Sequence, residues 1–286
     1  MTEPMHHASA PAAKRRRRLP VSGLLGLAVV VAMLVLAVVG PVIAPYSAGK
    51  VVDPDAFGPM TFKHPFGTDY LGRDMLSRVL YGGRYTIGLA LGATLLACLA
   101  GTSLGLLAAA AGGWLDFILS RALDALISIP SLLFGLVVVA AFGSSIPILI
   151  ATAAIIYTPG AYRISRSLAV NVAATDFVIA ARARGEGTSY IMTAEILPNI
   201  TGPVLTDFGL RFVFVILLLS RLSFLGLGIQ PPHADWGALV RENISGLAYG
   251  APAVVVPALA IAALTIGVNL VIDNLLGRSA GTLEGH

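Results

Sequence analysis

Residues 21–44, VSGLLGLAVVVAMLVLAVVGPVIA, form an unbroken run without a single charged side chain. A helix needs about 20 apolar residues to cross a hydrocarbon core of about 30 Å, so this run is long enough to span a bilayer. It is not an isolated greasy patch, because 56% of the whole chain is apolar and only 12% is charged. A soluble domain keeps its surface wet with about 25% charged residues. A water-soluble chain of this composition would expose apolar patches far larger than a monomer tolerates, so lipid must cover them.

The same reading finds further spans. Residues 86–111 carry no charge, and the uncharged run 125–162 is long enough for two crossings if it folds back at FGSSIP, residues 142–147, which supplies the Gly, Ser and Pro of a short reversal. A fifth span, 203–228, includes Asp207, Arg211 and Arg221, and a sixth lies within the uncharged stretch 243–272. The expected fold class is therefore all-α, a polytopic membrane protein with six transmembrane helices and a helix-turn-helix element between the fourth and fifth. GLALG at 88–92 and GTSLG at 101–105 place small residues four apart, a spacing that lets helix backbones approach closely in lipid. The single cysteine, Cys98, lies inside an apolar run and permits neither an intramolecular disulfide nor a cysteine metal cluster.

Lys14, Arg15, Arg16, Arg17 and Arg18 directly precede the first span. That span exceeds the roughly 7–15 apolar residues of a cleaved signal, and Pro45 follows the small residue Ala44, so the segment reads as a retained anchor. A basic block here holds the N-terminus in the cytoplasm more simply than it binds nucleic acid. Six spans then put both termini inside, together with Arg121, Arg163, Arg166, Arg182, Arg184 and Arg278. Lys50, Lys63, Arg73, Arg78, Arg84 and Arg241 fall outside among nearly as many acids, which agrees with the positive-inside rule. The resulting division is a basic tail 1–19, an anchor helix and outer loop 20–83, a transmembrane domain 84–276, and a tail 277–286.

Residues 175–199, TDFVIAARARGEGTSYIMTAEILPN, interrupt the apolar pattern on the expected cytoplasmic side. Thr175 and Asp176 suit a helix start, and residues 177–184 make two turns on which the small pair Ala180 and Ala181 leaves a low face. Arg182 and Arg184 suit its C-terminal end, Gly185 and Gly187 break it, Thr188 can cap a second helix, and Pro198 is expected to end that helix after Ile196. An amphipathic helix lying on headgroups fits the arginines but leaves the glycine break and the Pro-Asn ending unexplained. On the outer side, Asp74 and Arg78 are spaced i to i+4, and Met75, Leu76, Val79 and Leu80 form an apolar face, a pattern that predicts an interfacial helix with a gating or partner contact as the sharper reading. QPP at 230–232 reads as a turn.

Enzymatic chemistry is not expected. The chain has no G-x-x-x-x-G-K-[ST] phosphate loop and no H-E-x-x-H zinc motif, so neither catalytic nor metal-ligating residues are assigned. Asp124, Asp207 and Asp273 are expected near cytoplasmic helix ends, which gives little support to ion coupling through a mid-membrane acid. Arg211, one turn after Asp207, either pairs with it or snorkels, and Arg221 lies nearer the outer end; both are candidates for lining a polar pathway.

The 175–199 stretch resembles the "EAA" loop of ABC-importer permeases: Ala180, Ala181, Gly185, Leu197, Pro198 and Asn199 match in register, with Ile179 in place of the usual Glu and Glu195 where a His is frequent. HPFGTDYLGRDMLSRVLYGGR (64–84) and LSFLGLGIQPPHADWG (222–237) are similar to the first outer loop and the segment after the fifth span of oligopeptide/dipeptide/nickel permeases, C-type subunit. The similarity runs from about residue 15 to residue 276, although the tail LLGRSAGTLEGH lacks the Asp-Gly-Leu-Arg-Asp ending common in relatives. The resemblance implies a bacterial inner-membrane permease that forms half of the translocation pathway of an ATP-driven importer for di- or oligopeptides or similar solutes. Its implied partners are a second, B-type permease subunit, two cytoplasmic ATP-binding subunits that carry ATP and Mg, an extracellular or periplasmic solute-binding protein and the lipid bilayer, with no nucleic acid and no cofactor in this chain. It also implies roles for residues: Asp176, Ala180, Ala181, Arg182, Gly185, Glu186, Leu197, Pro198 and Asn199 in ATPase coupling, and Asp69, Arg73, Asp74, Gln230 and Trp236 in an outer loop or gate. The alternative is a subunit of an ion-coupled secondary transporter or channel.

Overall fold

The computed structural model describes residues 21–283, with side chains as far as Asn274, so the basic tail 1–19 lies outside the described residues. The chain runs through α1 (Val21–Ile43), α2 (Met75–Ala111), α3 (Gly113–Ile127), α4 (Ser131–Phe142), α5 (Ile146–Ala173) and α6 (Asp176–Ala183). It continues through α7 (Thr188–Tyr190), α8 (Leu197–Phe224), α9 (Trp236–Glu242) and α10 (Val255–Leu283). Five of these stretches are long and apolar enough to cross a bilayer, or six when α3 and α4, bent by 84° at their junction, are counted as one span. The architecture is a polytopic all-α membrane fold. Hydrocarbon offers backbone groups no water, which is why the crossing segments are helical.

α2 and α5 pack most intimately. A Cβ on Gly101 would lie 2.5 Å from Ala161 Cβ and 2.7 Å from the Thr158 carbonyl, and one on Gly105 would lie 2.8 Å from the Arg166 backbone nitrogen. The GTSLG spacing is thus a true helix-helix contact. In GLALG, a Cβ on Gly92 would reach only the Ile150 side chain, and one on Gly88 would meet nothing within 4 Å. The main core gathers α2, α4, α5, α8, α9 and α10 around residues such as Ile87, Leu149, Ile216, Leu222, Leu239 and Leu264.

Four local expectations are corrected. First, α2 starts at Met75 and runs 37 residues without a break, so residues 75–84 are the first turns of the second span and no separate interfacial helix exists; the boundary drawn at 83/84 falls inside α2. Second, its N-cap is Asp74, which accepts from the Ser77 N–H at 2.8 Å and from the Ser77 hydroxyl at 2.7 Å, so Asp74 caps the helix and does not pair with Arg78.

Third, Pro198 does not end the second helix of the 175–199 element: residues Thr188–Phe224 form one 37-residue helix. Proline has no N–H for the carbonyl four residues back and its ring crowds that carbonyl. The helix widens to a π form over Ile191–Ile196 just before it, with the Leu197 N–H reaching back to Met192, and such widening is a known way past a local obstruction. Fourth, because this helix starts at Thr188, Asp207 sits near its middle and not at its end. α10 likewise continues through Leu283, into the segment assigned to the tail.

Gly101→Ala, whose added methyl meets α5 backbone, should lower the thermal midpoint of detergent-solubilised protein by the equivalent of about 1–3 kcal/mol. Gly88→Ala, facing open space, should leave the midpoint unchanged or raise it.

Candidate functional site

α6 and the turn after it form a short projection between the fourth and fifth long helices. Thr175 takes the N-cap conformation (φ −79°, ψ 154°), yet its hydroxyl donates back to the Val172 carbonyl at 2.6 Å instead of capping a first-turn N–H. Asp176 follows as the first helical residue, near the positive end of the helix dipole. At the other end, Gly185 has φ +85°, its N–H donates to Arg182 O at 3.0 Å and the Glu186 N–H donates to Ala181 O at 3.2 Å, the two bonds of a Schellman turn. That φ is what requires glycine, since space around the missing Cβ is open.

The base of the projection is a second apolar cluster, in which Val178, Ile191, Ile196 and Ile200 join Leu106 and Ala110 of α2 and Ala169 of α5. Ala181 is fully buried, while Ala180 faces outward. Successive residues on a helix point about 100° apart, so the pair does not share one low face: Ala181 belongs to the base and only Ala180 to the surface. Arg182 Nη2 donates to the Ala110 carbonyl at 3.0 Å, which ties α6 to the last turn of α2. The outward surface carries Asp176, Ala180 and Arg184 beside Phe177, Ile179 and Tyr190, the last three 45%, 54% and 44% exposed. Glu186 lies 3.9 Å from Arg184. Leu197 is half-buried, Pro198 and Asn199 are exposed, and Asn199 Nδ2 donates to the Glu195 carbonyl at 2.7 Å beside the π-helical stretch.

At the opposite end of α2 a buried charge network joins distant segments. Asp69, wholly buried, accepts from Arg73 Nε at 2.7 Å and Arg78 Nη1 at 2.6 Å; Glu242 at the end of α9 accepts from Arg78 Nη1 at 2.8 Å. His64 Nδ1 lies 2.9 Å from Asp74 Oδ1. Trp236 at the start of α9 is buried; its backbone N–H donates to Thr86 Oγ1 and its Nε1 to the Val79 carbonyl, each at 2.9 Å. A Cβ on Gly83 would lie 3.0 Å from the Trp236 ring, so the glycine makes room for the indole. Burial pushes the carboxyl of Asp235 above the usual carboxylate range, against the charge-holding bonds from Ser223 Oγ at 2.6 Å and Ala238 N–H at 3.0 Å. Gln230 is exposed and donates to the carbonyls of Gly226 and Gly228. Asp69, Arg73, Asp74 and Trp236 thus form a buried staple that binds the segment between α1 and α2 to α2 and α9.

The two pathway candidates separate. Arg211 is buried, its Nε donating to Asp207 at 2.5 Å and its Nη2 at 2.9 Å, with Nη1 reaching the Tyr157 carbonyl at 3.2 Å; Gly160 leaves the room for its guanidinium. Arg221 is exposed and lines a groove of about 630 Å³ between α4, α8, α9 and α10. Residues 101–105 also fit the spacing G-x-S-x-G, but Ser103 lies inside α2 and not on the strand-to-helix turn that such a nucleophile requires. Among the described residues no cluster of three His, Cys, Asp or Glu side chains could hold a metal ion.

Asp69→Asn should destabilise the protein by about 3–5 kcal/mol, because it leaves two buried guanidinium groups short of a counter-charge. Asp124→Asn, which breaks the exposed pair with Arg163, should cost at most about 1 kcal/mol; thermal unfolding of both variants in one detergent makes the comparison.

Residues 101–280 match the family model described as binding-protein-dependent transport system inner membrane component. The dipeptide transport system permease protein DppC of Alkalihalophilus pseudofirmus is 30% identical over 88% of this chain and 83% of its own length. A putative peptide transport system permease protein of Brucella suis is 35% identical over 85% and 83%, and the glutathione transport system permease protein GsiD of Pectobacterium atrosepticum 33% over 86% and 82%. With its helices, its projection and these matches taken together, the chain belongs to the family of inner membrane components of binding-protein-dependent transport systems, as an ABC importer permease of the peptide/dipeptide group, C-type subunit.

Proposed function

We propose that this permease forms one half of the pathway of an importer for di- or oligopeptides or similar small solutes, and that the 176–197 element is the part on which partner ATPase subunits act. The transport of dipeptides, peptides and glutathione named for its relatives supports a solute with a peptide backbone. The observation that carries the coupling role is the construction of the projection: an exposed helix with a stiff glycine turn, rooted in a buried cluster shared with α2 and α5. A push on such an element moves the long helices with it, where a loosely held loop would absorb the displacement.

In this reading ATP and Mg are bound by two cytoplasmic ATPase subunits, a B-type permease supplies the other half, and a solute-binding protein delivers cargo at the outer loops. Closure of the ATPases shifts the helices between inward-open and outward-open arrangements, a two-state change driven by differential contacts. The surface offered to the ATPase by α6 is mixed. Asp176, Arg182 and, at its C-cap, Arg184 are its charges, and Ile179 presents an apolar side chain where relatives of the "EAA" pattern carry an acid. Both termini and residues 163–202 lie in the cytoplasm, and the transporting unit runs from the start of α2 at Met75 through α10.

An Ala180→Cys variant, whose new thiol is exposed while native Cys98 is buried, should resist an impermeant maleimide added outside intact cells and react in inverted vesicles. Labelling from outside would remove the coupling role altogether. Gly185→Arg should insert and assemble normally yet lose solute-stimulated ATP hydrolysis, because a side chain at φ +85° distorts the turn and projects a bulky charge toward the ATPase; undiminished stimulation would count against the assignment.

A further inference from the structure

We propose that the break between α3 and α4 is where this chain lines the translocation pathway, its open backbone groups facing water and the passing solute; this deepens the importer reading and rests on it. The break lies deep in the membrane. A cavity of about 270 Å³, part of whose wall is polar, sets Ile129, Pro130 and Ser131 beside Ile155, Ile156 and Tyr157 of α5. α5 begins at Ile146 and carries no charge before Arg163. At 1.5 Å per residue Ile156 lies about 15 Å along it, halfway through a hydrocarbon core of about 30 Å.

At that depth the chain leaves backbone groups open. α3 ends at Ile127, α4 starts at Ser131, and the two are bent by 84°. The turn closes on itself only in part: the Ser128 N–H donates to the Asp124 carbonyl, the Ile129 N–H to the Leu126 carbonyl, and Ser128 Oγ to the Ala125 carbonyl. Among the described residues no backbone donor reaches the carbonyls of Ile127, Ser128 and Ile129, and no backbone acceptor meets the N–H groups of Ser131, Leu132 and Leu133. Pro130 at the N-cap position supplies no side-chain cap, and residues 126–131 are all exposed. Irregular backbone at membrane depth is confined to places buried in protein or lining water, so the face that turns it outward is not a lipid face.

What adjoins the break favours water over a packed protein surface. On the same face of α3, one turn before Ser128, Asp124 pairs with Arg163 of α5 at 2.6 Å, and both side chains are open, 41% and 54% exposed. Arg121, also exposed, stands a further turn back. These groups make a polar lane that rises from the cytoplasmic ends of α3 and α5 to the middle of the membrane. A tight subunit contact would strip water from the Asp124–Arg163 pair, and that loss outweighs the mutual attraction unless additional hydrogen bonds complete the set. Within this chain Arg163 donates to Asp124 alone.

The test labels the complete importer, with its second permease, ATPases and binding protein, in lipid nanodiscs, using a charged thiosulfonate that reacts with thiolates in water. Ser128→Cys and Ser131→Cys place thiols at the break. Ile266→Cys, exposed at similar depth on α10, is the reference, and native Cys98 is buried. Without nucleotide the break thiols should react at least about ten-fold faster than the reference. Trapping with ATP and vanadate should slow them, because closure toward the cytoplasm removes their water. Reconstituted into proteoliposomes, the importer should lose ATP-dependent uptake of a radiolabelled pool of di- and tripeptides once labelled at the break, and keep it after the same treatment of the reference variant.

Break thiols that react no faster than the reference would leave the break covered by the second permease subunit or by lipid, and overturn the proposal. Fast-reacting thiols whose labelling leaves uptake intact would put the break in water but off the pathway, and overturn it equally. Unlabelled wild-type importer that moves no peptide with ATP would sink the importer reading and this inference together, whereas either of the preceding results, with wild-type uptake intact, would sink this inference alone.

Discussion

Backbone contact between α2 and α5 at Gly101 and Gly105 is the constraint on which the other parts of the molecule depend. With no Cβ at either position the two helices meet at a distance that any larger residue would prohibit, and in lipid such packing replaces the hydrophobic drive that water would supply. Both ends of the pair are put to use. One end of α2 enters the buried staple through Asp74 and Arg78, and its other end offers the Ala110 carbonyl to Arg182. α5 leads within two residues into α6. The projection is therefore clamped between the ends of two helices that cannot slide past each other without a clash.

Polar groups in this apolar chain come mostly as closed sets. Asp69, Arg73, Arg78 and Glu242 compensate one another, and Asp207 with Arg211 forms a pair completed by the Tyr157 carbonyl. Such buried sets add little net stability over an apolar equivalent, but they are strongly destabilising when one member is removed, so they fix which segments dock where.

Much of this was legible in the sequence. Uncharged runs located α1, α2, α5 and α10, the FGSSIP reversal lies at the junction of α4 and α5, and Gly185, read as a helix breaker, stands at φ +85°. The third span was not so marked: it was expected within the uncharged run from residue 125, whereas α3 carries Asp116, Arg121 and Asp124 and α4 after the bend has only 12 residues. The misses share a cause: a local rule was overruled by a distant or subtle partner. Asp74 and Arg78 have the spacing of a helix ion pair, but Asp69 and Glu242 claim Arg78 and the Ser77 N–H claims Asp74. Pro198 carries the usual stop signal, yet a π-helical turn admits it without a break. Ala180 and Ala181 are chemically identical neighbours, and only the packing of Val178 with Ile191 and Ile196 decides which of them faces inward.

Solvent class, span number and the place of the polar interruption were determined by the sequence alone, because burial of a backbone in hydrocarbon demands long uncharged helical runs and tolerates few exceptions. Which charges pair across the fold was decided only by the tertiary structure. Arg211 meets Asp207 one turn away, as the spacing allowed, but Arg78 passes over Asp74, also one turn away, for Asp69 and for Glu242 at a separation of 164 residues. Electrostatic pairing depends on distances of a few ångströms across segments far apart in the chain, and no pattern along the chain encodes those distances.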